Sequence, residues 1–304
     1  MADPQKTLSG RFGAGFNLLI PILLITALLA NYWLIVNGVR TGTIYFYMLI
    51  GSGVLIGLLF LFFRNSETFD GLINAVRVPF GTSLTTASVF FLLGIAAPFL
   101  FTFGLRIIGS QFSITSFSVP LFSSNILQGV TQSFSAAEVS ASMPWKIFNL
   151  VFNAGVTEEW VFTFGMMIVG AIIAKFILTI FGSKLSFIKS EKNFVIIFAM
   201  LFATATFAGA HLLNATYIGS MFLIAAAFKL ITIVLIYYFG FLLTFTIGYH
   251  MANNFIYLYQ QEGIAVLHGL WSWVGLLMFG IIALLIIHLY IKRNTLWSDL
   301  KDSF

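Results

Sequence analysis

Cysteine is absent from the chain. Disulfides, thiolate metal sites and cysteine nucleophiles are thereby excluded together. Charge is scarce as well: 8% of the 304 residues are Asp, Glu, Lys or Arg, where a soluble domain carries roughly a quarter. With 60% of residues hydrophobic and a mean hydropathy of +1.01, water could not solvate this surface, whereas lipid could. The expectation is a multi-pass protein of the cell membrane whose first partner is the lipid bilayer. The formal net charge of +5 is mild. It reads as positive-inside bias rather than a nucleic-acid footprint, so no nucleic-acid partner is expected. No signal peptide is expected either: Met1 to Gly15 is polar and weakly basic, and no small-residue cleavage pattern interrupts the apolar run that follows.

The apolar runs predict an all-α, polytopic transmembrane helical bundle of about eight spans. The first spans fall near Phe16–Val36, Thr43–Phe63 and Leu84–Ile108. The serine-rich stretch Ser110–Met143 reads as an extramembrane loop, and Pro144 as a first helical residue. Spans near Val151–Phe181 and Phe194–Leu213 follow. The run Tyr217–Tyr259 is too long for one helix. Lys229 is its only charge, which predicts a tight turn there and two spans, the sixth and seventh. The last span is Leu270–Ile291. The chain divides into residues 1–143, holding the N-terminal helices and the polar loop, and residues 144–304, holding the C-terminal helices, within one membrane domain. With the N-terminus inside, basic residues crowd the inner loops and ends, while the outer side holds Arg40, Arg106 and Lys146. Both termini are therefore expected in the cytoplasm.

All but two of the ten acidic residues lie in tails or predicted loops. The exceptions are Glu158 and Glu159, adjacent in the fourth span. Each carboxylate costs roughly 3 kcal/mol near a bilayer centre, so a pair needs a reason. One reading places them in the headgroup region near the positive end of the helix dipole; the other makes them a polar site between helices. His211 follows Phe207-Ala208-Gly209-Ala210 late in the fifth span, where small residues allow close helix approach. His250 and Asn254 are four apart in the seventh and share a helix face. A lone histidine in an apolar helix is more often a packing residue than a catalyst. Here topology puts the two glutamates near the outer start of one span and both histidines near the outer ends of others, at similar depth. His268 and His288 read as surface or interface groups. Asn214, three residues after His211, could orient it or cap the helix.

Residues Glu158-Glu159, Phe207 to His211 and His250 to Asn254, in that order on successive spans, resemble the EExxxR, FxxxH and HxxxN motifs of the CAAX-protease and bacteriocin-processing family. The resemblance covers about Val151 to Tyr259. It implies an intramembrane, glutamate-dependent endopeptidase acting on a peptide or protein substrate, including a lipidated one, without a cofactor. Glu158 would be the general base, with His211 holding the water, and His250 and Asn254 would donate to the oxyanion. Glu159 would be structural. One element departs: the family's Arg position is Thr163, which leaves Glu159 without that counter-charge and with only a hydroxyl to share.

Other peptidase chemistries fit less well. HExxH is missing, Gly51-Ser52-Gly53 has no evident His partner, and no aspartate lies within a span. Zinc on Glu158, His211 and His250 is the alternative to metal-free chemistry. Two other function classes use the same buried groups: a transporter or proton-coupled carrier, and a catalytically silent membrane scaffold.

Overall fold

A computed structural model describes residues 19–36, 38, 40–63, 83–111, 142–181, 190–212 and 218–301. The N-terminal tail, most of the serine-rich stretch and Asn214 lie outside these residues. The described chain is helical, with no strand among the described residues: α1 (Leu19–Val36), α2 (Arg40–Phe63), α3 (Leu84–Gln111), α4 (Met143–Phe181), α5 (Glu191–Leu212), α6 (Ile218–Phe239), α7 (Leu243–Glu262), α8 (Ile264–Leu270), α9 (Trp273–Ile291) and α10 (Leu296–Lys301). Helix satisfies every internal backbone donor within the segment, the only open-chain solution in lipid. Among the described residues, four segments are long and apolar enough to cross a membrane: Leu19–Val36, Met143–Phe181, Glu191–His211 and Trp273–Ile291. Shorter apolar stretches run through Thr43–Leu58, Leu84–Leu100 and Ala225–Phe239.

One sequence expectation is corrected. The predicted turn at Lys229 does not exist: α6 runs unbroken through it, and the chain reverses at Gly240, whose φ of +69° favours glycine. A solitary lysine resembled a loop residue because its partner, Glu159, was not visible in the local sequence. Lys229 is fully buried and pairs with Glu159, so it also leaves the tally of loop charges. α4 starts at Met143, with Pro144 in its first turn as expected, so the helix extends well ahead of the apolar run that begins near Val151. Its 39 residues at about 1.5 Å rise make about 58 Å, well over the ~30 Å hydrocarbon core. Glu158 therefore lies deep along the helix and not at its first turn.

Contacts define two ends of the bundle. At one, Trp33 near the end of α1 stacks on Trp145 near the start of α4, with ring centroids 3.5 Å apart. Trp145 also meets Trp273 at the start of α9, and Lys146 pairs with Glu262 at the end of α7 at 3.0 Å. At the other end, Lys175 of α4 pairs with Glu191 of α5 at 3.2 Å. The start of α3 meets the end of α9 and α10 there, through Thr85, His288 and Asp299.

α7 lies at the centre. Gly94 of α3 faces the backbone of Phe245, and Gly248 of α7 faces the backbone of Phe91, so a Cβ at either position would collide with the opposing main chain. Gly155 of α4 allows a similar approach to Met251, which would stand 2.6 Å from an added Cβ. Missing side chains thus bring α7 against α3 and α4, and that clamp sets the position of His250. Phe91, Phe152, Phe207 and Leu243 fill the surrounding core. A second apolar cluster, including Met167, Ala171, Ala199 and Ile233, joins the far half of α4 to α5 and α6.

Candidate active site

α4 is not a uniform α-helix. Two π-helical segments, Ile147–Asn153 and Glu159–Gly165, flank an α-helical turn, Ala154–Glu158. Such widened turns occur frequently at functional sites. Here the second begins between the two glutamates. Upstream, Asn149, Asn153 and Thr157 line one face at four-residue spacing. Asn153 exchanges reciprocal amide hydrogen bonds of 2.9 Å and 2.7 Å with Asn31 of α1. Asn149 accepts from Asn153 at 2.9 Å, and the Thr157 hydroxyl donates to Asn153 at 3.1 Å. These buried polar groups satisfy one another and tie α1 to α4 immediately before Glu158.

The two carboxylates face different surroundings. Glu159 is fully buried and accepts three bonds: Lys229 Nζ donates to Oε1 at 2.6 Å, His250 Nδ1 faces the same oxygen at 2.8 Å, and the Thr163 hydroxyl donates to Oε2 at 2.6 Å. The absent arginine at position 163 therefore does not leave Glu159 without a counter-charge, as the sequence alone suggested. A lysine from α6 reaches the same place and lies 3.0 Å from Thr163 Oγ1. Glu158 is held at one oxygen only: the Tyr45 hydroxyl of α2 donates to Oε1 at 2.6 Å. Glu158 Oε2 is buried and has no hydrogen-bond partner among the described residues.

That free oxygen lies 3.8 Å from His211 Nε2 and 3.6 Å from His250 Nε2. His211 Nδ1 is 2.9 Å from the Phe207 carbonyl oxygen, which can only accept, so Nδ1 carries a proton and a neutral ring presents its lone pair at Nε2. The His211 side chain keeps 27% of its surface exposed, against 5% for His250 and 11% for Glu158. Access to the cluster is therefore greatest on the α5 side.

Glu158, Glu159, His211 and His250 thus come together from α4, α5 and α7. Asn254 does not join them as the resemblance implied. Its amide donates to the Leu150 carbonyl oxygen at 2.8 Å, in the first π-helical segment, where it fastens α7 to α4. His250 turns its Nε2 to Glu158 and its Nδ1 to Glu159, so the pair does not present two donors to one oxyanion. Exposed His268 stands apart in α8, and His288 contacts Thr85 Oγ1 at 3.1 Å. Two contributors went unread in the sequence: Tyr45, in a span with no other signal, and Lys229, whose isolation in an apolar run was its only mark. Among the described residues no group of three or more His, Asp or Glu side chains is arranged to hold a metal ion. No protein-family model, curated protein or solved structure matches the chain.

Proposed function

We propose that this chain is an eight-span intramembrane peptidase that hydrolyses a peptide bond with water activated by Glu158. One observation carries the reading: a buried carboxylate oxygen with no hydrogen-bond partner among the described residues, 3.6 Å and 3.8 Å from two imidazole nitrogens on separate helices. A single water bonded to Oε2 and to a ring nitrogen would bridge such a separation, which is the reach a general base requires. Tyr45 holds the other carboxylate oxygen and so aims Oε2. Glu158 takes a proton from the water, whose oxygen adds to the substrate carbonyl carbon. The protonated Glu158 then returns that proton to the departing amine. His211, the more exposed ring, stands where its protonated form would donate a hydrogen bond from Nε2 to the developing oxyanion, a bond released as the carbonyl re-forms and the amine departs.

Eight crossings follow if α1 to α7 and α9 each span the bilayer. The charge bias retains its sign without Lys229, which places both termini in the cytoplasm and the cluster toward the outer face. A peptide reached from that side suits the site better than a prenylated cytosolic tail.

The chain Lys229–Glu159–His250–Glu158 also resembles a proton relay, which gives a carrier as the second reading. A peptide library incubated in detergent with wild-type protein and with Glu158→Gln, each with and without chelator, separates the readings. Cleavage by wild type alone, unaffected by chelator, is the expected result. Loss in Glu158→Gln of ion-coupled uptake measured in proteoliposomes, with no cleavage by either protein in detergent, points to the carrier. No difference in either assay leaves a silent scaffold.

A further inference from the structure

We infer that Lys229, acting through Glu159, decides which ring nitrogen of His250 faces Glu158. The inference rests on the peptidase reading of this site. Lys229 is fully buried, with its Nζ 2.6 Å from Glu159 Oε1 and 4.3 Å from the centre of the Phe207 ring. A lysine is not kept in that position by packing alone, since an unpaired buried charge is costly. Its partner oxygen is the one His250 Nδ1 approaches at 2.8 Å. With the cation in place, Glu159 is a pure acceptor, and the proton of a neutral His250 sits on Nδ1. Nε2 then points a lone pair at Glu158 Oε2, 3.6 Å away.

Two acceptors facing each other cannot bond directly. A water between them can donate to both, and this is the arrangement a general base needs. Without Lys229, Glu159 is a buried carboxylate with no counter-charge, and it neutralises by taking a proton. It then donates to Nδ1, and the His250 proton moves to Nε2. That N–H bonds directly to Glu158 and occupies the oxygen meant for water. The ring cannot escape this choice by swinging away, because Phe228 and Phe207 pack against it at 5.0 Å and 6.1 Å between ring centres. Lys229 is therefore a positioning residue. It selects a tautomer two bonds away and touches neither water nor substrate.

The position of Thr163 supplies a transposed variant. Thr163 lies four residues after Glu159 in α4 and contacts both Glu159 and Lys229. Lys229→Ala with Thr163→Lys moves the cation from α6 to α4 while keeping charge and approximate volume. The measurement is ring 15N NMR of histidine-labelled protein in detergent; the chain has only four histidines, and His250 is assigned by the loss of its signals in His250→Gln. Wild type should show the proton on Nδ1, Lys229→Met should show it on Nε2, and the transposed variant should return it to Nδ1. In parallel, kcat should fall about 100-fold in Lys229→Met with KM nearly unchanged, and recover to within about tenfold in the transposed variant. A wild-type tautomer pattern in folded Lys229→Met overturns the inference. If Lys229→Met does not fold, the transposed variant decides alone: a proton on Nε2 there overturns it. Should the wild type cleave nothing while the proton moves as stated, the positioning role stands and the peptidase reading falls.

Discussion

Glu158 and Glu159 are neighbours in sequence with different surroundings. Successive helical residues point about 100° apart, so one carboxylate faces Lys229, Thr163 and His250 while the other faces Tyr45 and His211. The pair and both histidines were legible because charge and imidazole are rare in an apolar chain. Tyr45 was not, since tyrosine is ordinary at any depth of a membrane helix and its role depends on which helix lies opposite. Its phenol is the only hydrogen-bond donor to Glu158 among the described residues. A hydrogen bond to a carboxylate contributes about 1.5–3 kcal/mol. Tyr45→Phe should therefore slow peptide cleavage by about ten- to hundred-fold when each protein is assayed below its own melting temperature. Equal rates for the two proteins would remove Tyr45 from the site.

The helices show a similar division. Hydropathy marked the helical class and the approximate extent of the apolar segments, including α5 and α9, because lipid imposes the same demand on every apolar helix. It misjudged the break between α6 and α7. The sequence signal there was a lone charge, whereas the turn was made by Gly240 at positive φ. It also gave no sign of which helices touch. Gly94 and Gly248 look unremarkable in sequence, yet each faces the opposing backbone. Gly248 is two residues before His250, so a side chain there pushes α7 away from α3 and shifts the imidazole relative to α4. Gly248→Val should lower stability by about 1–3 kcal/mol or more, read as a lower melting temperature, and should reduce cleavage even below that temperature. Gly280 of α9 has nothing within contact of an added Cβ, so Gly280→Ala serves as the control and should leave both readouts unchanged.

For the whole molecule, contacts pair helix ends at two extremes of the bundle. Lys146 and Glu262 share one end with Trp33 and Trp273, and Lys175 and Glu191 share the other. The absence of cysteine makes this directly testable. Single cysteines at Glu262 and Gln261 should react with an impermeant maleimide from outside intact cells, and those at Ser190 and Arg293 only after permeabilisation. Labelling of all four from one side would refute eight crossings. Composition determined the solvent, the all-helical architecture and the rarity that singled out Glu158, Glu159, His211 and His250, because each of these follows from the energy of placing one residue in lipid. Partnership was decided by the tertiary structure. Lys229 meets Glu159 across 70 residues of chain, Tyr45 meets Glu158 across 113, and Asn254 is drawn to a backbone carbonyl instead of a substrate. A buried polar group's energy depends on the atom opposite it, and which atom that is depends on how the helices pack.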